Sequence, residues 1–256
     1  MGLTAYNPAI YDAYFTGVEG EVDFYVEEAL DCGGPVLELG CGTGRVLLPI
    51  ARSGIEITGI DIDNGLLEVL PGKLNGEDRE VAQRIQILES DMAAFSTEKS
   101  YKIVIAPYRA FQHLLTAADQ RQALDCVYRD LETGGRFVFN TFDPLQEIAR
   151  NGFTLPVHKD SDFIDRVTGH TVSAYFSRHY DPELQVLEQE FVFEEFDLSG
   201  ESKRRWSNLL LLRWTPHGEM VHLLERSGFQ VDALYGDFSG GPYVGYGEQI
   251  WVATKA

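Results

Sequence analysis

The sequence is poor in cysteine and poor in positive charge. Cys32, Cys41 and Cys126 are its only thiols in 256 residues, and no two form a CxxC pair. An odd count leaves one over in any disulfide scheme, so reduced thiols and a cytoplasmic location are expected. Lys and Arg number 21 against 40 Asp and Glu, a formal net charge of −19. Nucleic-acid binding draws most of its affinity from Lys and Arg on phosphates. The longest basic run, Lys203-Arg204-Arg205, lies in an otherwise acidic segment, so no nucleic-acid partner is expected. Apolar runs all fall short of the roughly 18 residues a membrane-crossing helix needs, so no membrane partner is expected either. The opening MGLTAYNPAI lacks a basic region followed by an apolar one, which argues against a secretory leader. It begins Met-Gly, but Tyr6 stands where a myristoylation signal has Ser or Thr. His217 and His222 lie on one helix without a third partner, so no metal site is expected.

What is present is enough apolar material for a full core: 44% hydrophobic and 12% aromatic residues. A chain of this length buries such a core without staples. The rhythm changes along it. Residues 1–33 read as helical with scattered aromatics. From Pro35 to Asn140, the apolar runs VLEL, EITGI, RIQIL, KIVIA and RFVFN alternate with helical stretches, the pattern of βαβ units on a parallel sheet. Gly54 and the Gly134-Gly135 pair fall where helix C-caps belong. Residues 153–213 instead alternate apolar and polar side chains, as antiparallel strands with one buried face do. Thr215-Pro216 then opens a helix with Pro at its first position, followed by two strands joined through SGGPYVGYG. The expected fold class is α/β: a Rossmann-like, seven-stranded, mostly parallel sheet with an antiparallel last strand, plus an antiparallel β insertion. Four segments are expected: 1–34 as a helical cap over the cofactor site, 35–152 as the cofactor-binding core, 153–214 as the insertion, and 215–256 as the final helix and hairpin.

The chemistry is concentrated in Val36-Leu-Glu-Leu-Gly-Cys-Gly-Thr-Gly-Arg45. A buried strand runs into a turn holding Gly40, Gly42 and Gly44, and a helix follows. Glycines there permit positive φ and close approach of a ligand. The helix start presents free N–H groups to an anion. The dinucleotide fingerprint wants G-x-G-x-x-G or A, but Arg45 occupies the third place. Glu38 lies on the strand itself, two residues before Gly40. The next strand ends Gly59-Ile60-Asp61, and an acid there accepts hydrogen bonds from ribose hydroxyls. The third strand ends Ser90-Asp91-Met92 and the fourth Ala106-Pro107-Tyr108. All four endings fall on the carboxyl edge of the sheet, where open α/β proteins bind ligands.

In these motifs the chain resembles the class I S-adenosylmethionine-dependent methyltransferases. VLELGCGTG resembles the family's first motif, GID at 59–61 its acidic second, SDM at 90–92 its third, and LETGGRFVF at 131–139 the approach to its fifth strand. YDAYF near the start and FQHL at 111–114 are similar to its small-molecule branch. The resemblance implies S-adenosyl-L-methionine as cofactor and S-adenosyl-L-homocysteine as product. It implies that Gly40, Cys41, Gly42 and Gly44 pass under the methionine part, with Glu38 near the cofactor's amino group. Asp61 would hold the ribose hydroxyls and Ile62 the adenine face. Asp91 and Met92 would meet the adenine edge, and Ala106 would line the reacting sulfur. Tyr14 and Arg45 are candidates for the cofactor carboxylate. Cys41 reads as a small packed residue rather than a nucleophile.

Methyl transfer is an in-line displacement, so alignment of the partners does most of the work. A base is needed only where the nucleophile arrives protonated. His113, expected at the start of the helix after the fourth strand, is the candidate base. Tyr108 and Asp143 lie on the same ligand edge, and Asp143 suits an amine or hydroxyl. His179 and Tyr180 are further candidates to reach the site. Ala106-Pro107-Tyr108 departs from the [DNS]PP[YF] of enzymes acting on DNA adenine or glutamine, and no Pro-Cys serves cytosine chemistry. The expected function is therefore methyl transfer to a small-molecule acceptor, an amine being favoured. The alternatives are a protein or RNA acceptor, or a cofactor-binding module without transfer. The insertion reads as a substrate lid or a dimer surface, which leaves a homodimer open.

Overall fold

The computed structural model describes residues 8–256 of the chain, apart from the side chain of Ala9. Met-Gly and Tyr6 at the start lie outside the described residues. In chain order the elements are α1 (Pro8–Tyr14), α2 (Glu21–Cys32), β1 (Val36–Leu39), α3 (Leu47–Arg52), β2 (Ile57–Asp61), α4 (Asn64–Leu67), α5 (Leu70–Leu74), α6 (Arg79–Gln83), β3 (Ile85–Glu89) and β4 (Tyr101–Ala106). A single 3-10 turn at Ala110–His113 precedes α7 (Ala117–Asp130) and β5 (Leu131–Asp143). There follow α8 (Leu145–Asn151), β6 (Thr154–Ile164), β7 (Thr171–Asp181), β8 (Val186–Phe196), β9 (Ser202–Arg213), α9 (His217–Arg226), β10 (Phe229–Tyr235) and β11 (Gly247–Lys255).

Two compact units result. One combines the described residues through Thr16 with Leu145–Trp214; the other comprises Gly17–Pro144 and Thr215–Ala256. Helix α2 thus belongs to the second unit, apart from α1.

The second unit is built on a seven-stranded sheet in the order β10-β11-β5-β4-β1-β2-β3. Strands β1 to β5 pair in parallel, while β11 runs antiparallel to both β5 and β10. The chain winds from β1 outward to β3, then returns to β4 on the other side of β1, so the connections diverge between β1 and β4. Ligands of such sheets bind at that switch point, beyond the carboxyl ends of the strands. Strand β1 is buried at every position, as a strand covered by helices on both faces must be. Leu37 and Leu39 face one core with Phe137, Phe139 and Trp251, while Val36 faces the other with Tyr25, Leu47 and Ile105.

The first unit is a four-stranded antiparallel sheet in the order β6-β7-β8-β9. Phe191 and Phe193 of β8 share one face, and the rings of Tyr14 and Phe15 pack edge-on against them.

Three local expectations are corrected. Gly134-Gly135 do not cap a helix: α7 stops at Asp130, and residues 131–143 form one strand. Pro216 sits at the N-cap of α9, before the first helical residue. His113 ends a 3-10 turn rather than starting α7, whose N-cap is Thr116 with its side chain accepting from Asp119 N. Among the described residues no helix is long and apolar enough to cross a membrane, and no three His, Cys, Asp or Glu side chains are grouped as a metal site requires.

Candidate active site

The turn after β1 depends on its glycines. Gly40, Gly42 and Gly44 have φ of +71°, +51° and +84°, a region in which a Cβ is penalised. A Cβ on Gly44 would lie 2.4 Å from Leu70 Cδ2, and one on Gly40 would lie 2.8 Å from Ala110 Cβ. The turn is stitched to the end of β2. The N–H groups of Gly40 and Cys41 both donate to the Ile60 carbonyl, at 2.8 and 3.0 Å. Gly42 N donates to Asp61 Oδ2 at 2.7 Å, and Asp63 N donates to Asp61 Oδ1 at 2.8 Å. Burial raises the Asp61 carboxyl, and these two N–H bonds oppose the rise. Each carboxylate oxygen has about two lone-pair sites, so one backbone donor does not exhaust it.

Glu38 follows Val36 by two residues and so faces the same side of the sheet. It is 2% exposed, and its Oε2 has no hydrogen-bond partner among the described residues. Burial holds its carboxyl well above the usual range, with Arg45 opposing and Glu21 and Asp61 adding to the effect. A buried unpaired oxygen is uncommon and calls for an explanation such as a ligand. It lies at the base of the glycine turn. The glycines, the orphaned Glu38 oxygen and the spare lone pairs of Asp61 suit a ligand carrying ammonium and ribose hydroxyl groups, as S-adenosylmethionine does.

Across the switch point, Ala106 is fully buried at the end of β4. Tyr108 and Arg109 then adopt left-handed φ of 52° and 65° in succession. Two non-glycine residues there cost about 1–3 kcal/mol each and persist only when the surroundings enforce them. Here buried Glu21, the first residue of α2, accepts from Tyr108 N at 2.5 Å, and Asn140 of β5 accepts from Arg109 N at 3.3 Å. Asn140 also accepts from Tyr25 Oη at 3.1 Å and donates to Glu248 at 3.1 Å. Arg109 pairs with the same Glu248, its Nε at 2.8 Å. The second Glu21 oxygen pairs with Arg45 at 2.7 Å, whose guanidinium lies 5.0 Å above the Tyr108 ring. Arg45 therefore already has a carboxylate partner.

Beyond this turn, Gln112 clamps the end of β5: it donates to the Phe142 carbonyl at 3.3 Å and accepts from Phe142 N at 2.9 Å. Beside it, His113 Nδ1 is buried without a partner among the described residues. Burial lowers its pKa to about 4, which leaves the ring neutral at pH 7. Asp143, 5% exposed, ends β5 and accepts from Tyr243 Oη at 3.3 Å.

The remaining candidates are placed as follows. Ile62 is 54% exposed beyond β2. Asp91 is exposed, with Oδ1 accepting from Ala93 N at 2.8 Å, while Met92 packs partly buried on the core. Cys41 is buried, and burial pushes its thiol up, away from a reactive thiolate. Tyr14, His179 and Tyr180 belong to the other unit. There Tyr14 donates to Asp160 at 2.9 Å, Tyr180 is buried against Trp214, and His179 is exposed. Sequence reasoning missed Glu21, Tyr25, Asn140, Tyr243 and Glu248. Of these, the acid directly after Gly20 carried a weak helix-start signal; the rest carried none.

Residues 36–135 match the family model of a methyltransferase domain, and they span the glycine turn and Asp61. This stretch is a methyltransferase domain. The chain is 26% identical to YqeM of Bacillus subtilis, a methyltransferase by assignment only, over 84% of this chain and 81% of that one. The chain also shares its fold with solved structures. CcbJ of Streptomyces caelestis superimposes with a TM-score of 0.79 at 21% identity, covering 94% of this chain and 98% of that one. CalS10 of Micromonospora echinaspora, an amino pentose methyltransferase, gives 0.73 at 20% identity, covering 96% and 97%.

Proposed function

We propose that this methyltransferase moves the methyl group of S-adenosylmethionine onto the nitrogen of a small-molecule amine. The bound cofactor supplies an activated methyl on a sulfonium, with its own leaving group. In this reading Glu38 takes the cofactor's ammonium and Asp61 its ribose hydroxyls. Gly40, Cys41, Gly42 and Gly44 let the methionine part approach the backbone, and Asp91 and Met92 meet the adenine beside Ile62. Ala106 and Tyr108 line the reacting edge, and Arg45 steadies the Tyr108 ring.

The observation that carries the acceptor reading is Asp143. It is a buried carboxylate at the end of β5, on the edge where the glycine turn and Asp61 also lie. A carboxyl group on that edge can accept from a substrate ammonium beside the Tyr243 hydroxyl that already donates to it. The overall charge of −19 steers cations toward the protein. Structural similarity to an amino pentose methyltransferase supports the same class. His113 stays neutral at pH 7, so it adds no repulsion toward a cationic cofactor, but a ring that titrates near 4 is too weak a base to take an ammonium's proton.

The test is to incubate the protein with cofactor labelled on its methyl group and with fractionated cell extract. Label is expected in small cationic metabolites. Label in the protein or RNA fraction would overturn the small-molecule reading, and label in neutral or acidic metabolites would overturn the amine.

A further inference from the structure

Glu38 sits where an ionised carboxylate has little to hold it. It is 2% exposed, on a strand buried at every position. Its cross-strand partners are Gly59 of β2 and Ile105 of β4, and neither has a polar side chain. Its Oε2 has no hydrogen-bond partner among the described residues. Arg45 is the cation whose field reaches it, but Arg45 is paired with Glu21 at 2.7 Å and lies over the Tyr108 ring. The other titratable groups that face it are acids: Glu21 and Tyr25 from α2, Asp61 from β2 and Cys41 from the glycine turn. Burial raises both Tyr25 and Cys41, so these two keep their protons.

A carboxylate taken out of water without a counter-charge or donors takes up a proton instead. Burial is the chief cause that raises the Glu38 carboxyl, and Arg45 only partly opposes it. An ammonium at the orphaned oxygen reverses the balance, because an opposite charge within about 4–6 Å favours the ionised form. Exchanging the proton for an ammonium also leaves the local charge unchanged. Asp61 differs, because Gly42 N and Asp63 N already donate to its two oxygens and ribose hydroxyls bring no charge. We infer that Glu38 is a neutral acid in the ligand-free protein and ionises as the cofactor's ammonium arrives, so that binding releases a proton. Its O–H bond breaks with the electron pair left on the carboxylate, the proton passes to the buffer, and the ammonium keeps its own protons. The inference rests on the reading above that Glu38 takes that ammonium.

The experiment titrates the full chain with S-adenosylhomocysteine by calorimetry, in pairs of buffers that differ in ionisation heat. The difference in heat counts the protons released. The range runs from about pH 5 to about pH 7, below that in which α-amino groups titrate, about 7.7–8.0. Methylthioadenosine, which has the ribose and adenine but no ammonium, is the control ligand. The parent is expected to release about one proton per S-adenosylhomocysteine at the acid end, its affinity climbing by up to about tenfold per pH unit. Methylthioadenosine should release none, and Glu38→Gln, which keeps the shape of the neutral acid, should abolish the release and flatten the climb. Binding of S-adenosylhomocysteine without proton release, or with the same release in Glu38→Gln, overturns the inference and leaves the cofactor seat standing. Equal release with methylthioadenosine overturns the exchange. No binding of S-adenosylhomocysteine by a folded parent overturns the seat itself. Ligand-free stability gives a second reading should Glu38→Gln lose binding. A carboxyl kept neutral by burial contributes stability that is complete below its ordinary value of 4.5 and is lost as pH rises. Glu38→Gln keeps that stability, so its urea midpoint should gain on the parent's as pH rises from about 4 to about 7. Parallel curves overturn the neutral acid.

Discussion

Replacing Glu21 by Ala should be among the most damaging single changes at the site, although the sequence marks this residue only as an acid at a helix start. Glu21 is fully buried and serves three groups. Its Oε1 accepts from Tyr108 N at 2.5 Å, while Oε2 accepts from Val18 N at 3.2 Å and pairs with Arg45 at 2.7 Å. The variant leaves the Arg45 guanidinium, 23% exposed, without this partner, and removing one member of a buried ion pair costs about 3–5 kcal/mol. It also releases the N–H that pins Tyr108 in its left-handed conformation. A loss of this size lowers the melting temperature by about 10 °C, given about 2–4 °C per kcal/mol for a chain of this length. Differential scanning calorimetry reads it directly. Arg45→Met alone and in combination closes a double-mutant cycle, and the expected coupling is about 1–3 kcal/mol. An unchanged melting temperature in Glu21→Ala, or additive effects of the two changes, would refute the reasoning.

Three further outcomes are expected. Asp61→Ala should weaken S-adenosylhomocysteine binding at least about tenfold by calorimetry, since a hydrogen bond to a charged group is worth about 1.5–3 kcal/mol; unchanged affinity would sink the ribose assignment. Gly44→Ala should destabilise the fold by about 1–3 kcal/mol in urea titrations, because its Cβ would meet Leu70 Cδ2 at 2.4 Å in a left-handed residue; a neutral result would show that the turn opens freely. His113 titrates near 4 in the fold against about 6.5 unfolded. Its neutral form is favoured by folding, so its contribution is complete above pH 6.5 and declines as pH falls toward 4, by about 3 kcal/mol in all. His113→Gln should flatten the acid limb of a stability–pH curve between those values, and parallel curves would contradict the buried, neutral ring.

Much of the sheet could be read in advance because its strands are short, apolar and separated by helical stretches. VLEL and the IVIA of KIVIA are buried as their composition demands, and the antiparallel character of residues 153–213 follows from alternation. Helix ends were less legible. Gly134-Gly135 have the chemistry of a C-cap, yet the strand after α7 begins at Leu131 and carries both glycines. There tertiary pairing of β5 with β4 overrides a local signal. The glycine turn and Asp61 were legible because a close approach and a strand-end acid demand particular residue types at fixed spacing. The network around Tyr108 was not. Glu21, Asn140 and Glu248 come from three distant segments and converge only once α2, β5 and β11 are in place, so no local pattern foretells them.

In the proposed reading the turn after β1 and the acid ending β2 form a seat for S-adenosylmethionine and not for a dinucleotide. Equilibrium calorimetry of S-adenosylhomocysteine and of NAD against the purified protein tests it most directly. One saturable site per chain for S-adenosylhomocysteine and no measurable heat of binding for NAD are expected. Saturable binding of NAD, or no binding of S-adenosylhomocysteine by a folded protein, would contradict it.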